Sequence, residues 1–101
     1  MKIFLKAPGQ TPQQIVTLND LHHLQELVGG YIETVTLFED LCIICDEEGR
    51  LKEKPFNCEI FGIDFVGTIL IVGVDGEEFT DVPAAARQAL SGLWEGDGEE
   101  A

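Results

Sequence analysis

The sequence predicts an α+β fold: a small, mainly antiparallel sheet of about five strands with two helices packed against it. Three observations carry this expectation. Val66–Gly73 is apolar on both faces, as a central strand covered on two sides must be. Two other segments place apolar residues at helical spacing. Short β-branched stretches separated by glycine-rich and acidic turns fill the remainder. The 101 residues suit a single domain, taken as residues 1–94, with 95–101 as an acidic disordered tail. The expected order is β-β-α-β-β-β-α.

Each element has a local reason. Lys2–Lys6 alternates, with Ile3 and Leu5 on one side, and forms a first strand. Ala7–Gln14 is dense in proline, glycine and polar residues and forms a loop, after which Ile15–Leu18 pairs back as a hairpin. Thr17 with Asp20 three residues on resembles a capping box, and Leu18, Leu21, Leu24, Leu27 and Val28 then make one apolar helical stripe. Gly29–Gly30 ends that stripe. Glycine just past a helix adopts the left-handed conformation without steric penalty, so the pair reads as an α-to-β corner. A phosphate loop runs in the opposite sense, from strand through glycines into a helix N-terminus.

Tyr31–Phe38 is rich in β-branched and aromatic residues and forms the next strand. Glu39–Asp40 turns it, and Leu41–Asp46 returns. A turn at Glu48–Gly49 leads to a short Arg50–Leu51–Lys52 segment. Pro55–Asp64 reads as a loop with room for a short helix. After the central strand, Asp75–Gly76 is a turn. The last helix is expected over Val82–Trp94, capped by Thr80 or Asp81 with Pro83 in its first turn. Val82, Ala86, Ala89, Leu90 and Leu93 lie on its inner side.

Charge narrows the function classes. The formal net charge is −13, which disfavours direct binding to nucleic acid or to an anionic membrane. From Asp75 onward Arg87 is the one basic residue, whereas Arg50, Lys52 and Lys54 form a small basic island. The longest apolar run is far short of the ~20 residues that span a bilayer. MKIFLKAPGQ carries a lysine after three apolar residues and so lacks a signal peptide's apolar core, and a cytoplasmic protein is expected. Three cysteines, Cys42, Cys45 and Cys58, are an odd number in strand-like surroundings. Cys42 and Cys45 point to opposite faces of a strand and cannot close on one ion, so packed thiols are expected.

No catalytic constellation stands out, and no enzyme activity, cofactor or metal is expected. His22–His23 are helix neighbours that do not share a face, and His22 lies one turn before Glu26 as an exposed pair. Ser91, the single serine, has no histidine nearby in the sequence. Two candidate sites remain. One is the acidic stretch Asp75, Glu77, Glu78 and Asp81, an acidic face that suits a partner with a basic surface. The other is a ligand loop formed by Tyr31, Asn57 and Asp64, since loops carry function more often than cores do.

Three segments occur in order over most of the chain: LQELVGGYIETV, LCIICDEEGRLKEKPFN and VGTILIVGVDGEEF. Together they resemble the domain of unknown function 3846 family, small proteins of phages, plasmids and conjugative elements. The matching residues are Val28–Glu33, Glu47–Leu51, Pro55, Asn57, Val66–Thr68 and Asp75–Phe79. Asn57 is followed here by Cys58, where a basic residue is common in the family. The resemblance transfers no catalytic residue. It implies a setting, accessory genes of mobile elements, whose products often act on host proteins. The expected function is therefore a protein-interaction module, in its sharper form a DNA-mimic inhibitor of a host nuclease or defence system. A small-ligand or nucleotide-binding domain and a structural homodimer are the alternatives; the chain is expected to be a monomer or a homodimer.

Overall fold

A computed structural model describes residues 1–95. Eight strands and three short helices follow in the order β1 (Lys2–Lys6), β2 (Gln13–Val16), α1 (Leu21–Val28), β3 (Ile32–Phe38), β4 (Leu41–Asp46), β5 (Phe56–Ile60), β6 (Ile63–Val66), β7 (Ile69–Asp75), β8 (Glu78–Thr80), α2 (Ala86–Ala89) and α3 (Gly92–Glu95). The main sheet runs β2-β1-β7-β4-β3, and every pairing in it is antiparallel. β7 pairs with β4 on one side. On the other side it pairs first with β1, through Phe4–Ile71, and then with β8, through Val74–Phe79. β5 and β6 form a separate two-stranded hairpin. The α+β, mainly antiparallel expectation holds, with more elements than the sequence suggested.

The two faces of the sheet carry different covers. Ile3, Cys42, Ile44, Leu70 and Val72 point to one face, where Leu24 and Val28 of α1 close over them. Leu41, Ile43, Cys45, Ile69 and Ile71 point to the other, under Cys58, Ile60 and Phe65 of the hairpin and Ala86, Leu90 and Leu93 of the last helices. Alternation along β4 thus buries all six of its residues, three to a face. Each fully buried leucine, isoleucine or valine adds about 1.5–3 kcal/mol of hydrophobic stabilisation before entropy is counted. Cys42 and Cys45 lie on opposite faces as free thiols, and burial raises both to about 11.

Several local expectations change. The helix after the first hairpin starts later than its apolar stripe, because Asp20 is the N-cap and accepts the His22 N–H at 2.9 Å. Leu18 and Leu21 are exposed, so the stripe narrows to Leu24 and Val28, with Leu27 half-buried beside them. Pro55–Asp64 is no loop: it holds β5, a two-residue turn at Phe61–Gly62 and the start of β6. The expected helix over Val82–Trp94 is split in two and begins later. Val82 donates its backbone N–H to Lys2 O at 2.8 Å, and Asp81 accepts from the Lys2 N–H at 2.8 Å instead of capping a helix. The tail expected at 95–101 lies, from residue 96 on, outside the described residues.

Candidate functional site

The double glycine builds an ionic corner. Gly29 caps α1 with φ 83°, the left-handed conformation, and donates to Gln25 O. Gly30 then passes so close to β4 that a Cβ there would lie 2.6 Å from both Asp46 Oδ1 and Lys52 Nζ. The Asp46 carboxylate is buried and accepts from Lys52 at 2.9 Å, from Lys54 at 2.7 Å and from the Glu48 N–H at 2.9 Å. Burial alone would raise its pKa, but the hydrogen bonds from Lys54, Lys52 and Glu48 outweigh burial and hold it at about 2. The same lysines reach back to the end of α1: Lys52 donates to Gly29 O at 3.1 Å and Lys54 to Val28 O at 2.8 Å. Cations at a helix C-terminus also favour its dipole. Arg50 donates to Asp64 O at 2.8 Å. The basic island of the sequence is thus turned onto the protein's own acids and carbonyls.

The acidic stretch is arranged differently. Asp75, Glu77, Glu78 and Asp81 are all exposed around the β7–β8 turn. Asp75 and Glu78 are cross-strand partners, a like-charge pair of the kind that costs stability in a sheet. The β3–β4 turn joins them, because Val74 donates to Asp40 O at 3.1 Å and so brings Glu39 and Asp40 alongside. Asp81 is held by Lys2, whereas the side chains of Asp75, Glu77 and Glu78 have no hydrogen-bond or ion-pair partner among the described residues. Glu39 and Asp40 escaped the sequence reading of this site. The signal was present: two hairpin turns on antiparallel neighbours fall at the same end of a sheet.

Tyr31, Asn57 and Asp64 do not converge on one recess. Asn57 is buried, and its amide is committed: Oδ1 accepts from the fully buried Lys6 Nζ at 2.7 Å, and Nδ2 donates to Lys6 O and Gly67 O. This bond set stitches β5 to β1 and to the connection between β6 and β7. Asn57 also borders an apolar groove of about 460 Å³ between β5 and the α2–α3 segment, lined by Phe56, Phe61, Leu90 and Leu93. Asp64 lines a different recess of about 230 Å³ with Glu33, Val35 and Ile63. Tyr31 is exposed and lines neither.

His22 faces Glu26 at 3.5 Å, and His23 faces Asp20 at 3.3 Å. The His22 N–H, then the His23 side chain, hold Asp20 below its ordinary pKa. Among the described residues no group of three or more histidine, cysteine or carboxylate side chains could hold a metal ion. No helix there is long and apolar enough to cross a membrane.

No curated protein and no solved structure matches the chain. A family model does, over residues 1–95, which takes in the ionic corner, the Asn57 stitch and the acidic turn alike. The chain belongs to the family described as Domain of unknown function (DUF3846).

Proposed function

We propose that the protein is an interaction module that takes a basic surface of another protein at the β7–β8 end of its sheet. One observation carries the reading: the Asp75–Glu78 cross-strand pair repels itself, has Glu39 and Asp40 beside it, and has no ion-pair partner among the described residues to relieve it. A basic partner would supply that relief. At the opposite end Glu47, Glu48 and Glu53 are mixed with Arg50, Lys52 and Lys54, which blunts the field there. In the setting implied by the family resemblance, the partner is a host factor met by the product of a mobile element. The sharper form is a DNA mimic, its carboxylates standing for phosphates before a nuclease or defence protein.

A salt-stepped capture from host lysate, treated with nuclease, tests this by comparing the protein with its Asp75→Asn/Glu77→Gln/Glu78→Gln variant. The reading expects a partner released at moderate salt and missing from the variant. An unchanged set of captured proteins rejects it. A second reading, small-ligand binding, is favoured only by the apolar groove beside Phe56 and Phe61. There Asn57 offers no free amide, so recognition would rest on shape and apolar contact.

A further inference from the structure

β3 is the outermost strand on its side of the main sheet: it pairs with β4, and no described strand lies along its other edge. Natural sheets blunt such edges with proline, lysine, bulges or a covering segment, because unpaired backbone groups template further pairing. The seven residues of β3, IETVTLF, contain neither proline nor lysine and are rich in strand formers. One irregularity between Thr36 and Phe38 is the only bulge in its pairing with β4.

An apolar strip runs beside this edge. Phe38 meets Phe61 edge-to-face, with ring centroids 5.7 Å apart, and Ile63 lines the neighbouring recess with Val35. Phe38, Phe61 and Ile63 are 46%, 60% and 41% exposed. Phe61 is held at φ 51° in the two-residue hairpin turn, where asparagine or glycine is the low-strain choice. Strain and exposure therefore coincide on one aromatic ring, the residue type that anchors protein interfaces. The surrounding exposed charges are mainly acidic, Glu33 on the strand, Glu39 and Asp40 beyond it and Asp64 on β6, with Arg50 a cation in the recess that Glu33 and Asp64 share.

We infer that the β3 edge and the Phe38–Phe61–Ile63 strip form a docking surface for an extended, lysine- or arginine-rich segment of a partner protein, added as a further strand. This rests on the basic-partner reading above and supplies its mode of attachment. The incoming backbone bonds to the free edge of β3, its apolar side chains cover the strip, and its cations face Glu33, Glu39 and Asp64. Charge selects this occupant over a second copy, which would set one net charge of −13 against another with no lysine on the strand to offset it.

The test titrates isotope-labelled protein with a synthetic peptide of about nine residues, a strand's length, in which lysine alternates with valine. A matched peptide carries a methyl on every backbone nitrogen. The expected result is amide shifts along Ile32–Phe38 and at Phe61, with the methylated peptide bound at least about tenfold more weakly. Phe61→Asn, which suits the turn, should weaken binding several-fold while the melting temperature holds or rises. Equal binding of both peptides, shifts confined to Asp75–Asp81, no binding of either, or a stable dimer that excludes the peptide would each overturn the inference. None of these decides the acidic-end reading, which stands or falls on the salt-stepped capture.

Discussion

Two charged regions at opposite ends of the sheet use the same residue types to opposite ends. At the ionic corner a buried carboxylate, Asp46, is held by two lysines, and those lysines hold the end of α1. At the acidic turn Asp75 and Glu78 sit across from one another in water. Sequence alone presents both as surface charge. Their partners separate them: charge with an internal counterpart organises the fold, and charge without one is available to another molecule.

The sharpest way to break the comparison is Asp46→Ala. It leaves Lys52 and Lys54 with only the carbonyls of Gly29 and Val28 and removes the ionic link from β4 to the end of α1, with an expected loss of about 2–3 kcal/mol in urea unfolding. The figure sits below the full cost of a stranded buried charge because both lysines retain some access to solvent. Gly30→Ala attacks the same corner sterically, pressing a methyl into Asp46 and Lys52, and should cost about 1–3 kcal/mol. A loss under about 0.3 kcal/mol would mean that the corner yields freely and is not the organiser described here.

Acid sharpens the contrast. The Asp46 pKa is held at about 2, below the ordinary value of 3.8, so the folded state binds the proton less readily than the unfolded chain. Its contribution is therefore complete above about pH 4 and lost as the pH falls through 2. The stability gap between the protein and Asp46→Asn should narrow across that window and stay flat above it. A gap that is flat down to pH 2 would remove the ionic explanation. The smallest effect belongs to the other end. Asp75→Asn/Glu78→Gln should raise stability by about 0.5 kcal/mol at low salt, and the gain should vanish near 1 M salt.

What could be read from sequence were the elements whose reasons are local. The Gly29–Gly30 corner, the turn at Glu39–Asp40 and the doubly buried β7 all follow from neighbours within a few residues. The misses share a different cause. The β5–β6 hairpin hid because a bulge between Phe56 and Cys58 breaks alternation, and because Phe-Gly lacks the asparagine that marks such turns. Val82 reads as helical by spacing, yet its N–H is taken by Lys2 from the far end of the chain. Lys52 and Lys54 read as a solvated island because their bonds to Val28 and Gly29 cross a distance that no periodicity records. Of the candidate sites, the acidic turn was legible in part, and the β3 strip was not, since Phe38 and Phe61 meet only once the hairpin folds over the sheet.

The placement of β7 between β1 and β4 has a consequence for synthesis. Until Ile69–Asp75 has left the ribosome, β1–β2 and β3–β4 are two hairpins with no strand to join them. The central pairings, Phe4 with Ile71 and Ile43 with Ile71, bridge long stretches of chain, the kind of contact that slows folding. A nascent chain stalled before β7 would present open strand edges and unburied core residues to its surroundings. Assembly of the sheet therefore waits on the one strand, β7, that joins the two earlier hairpins.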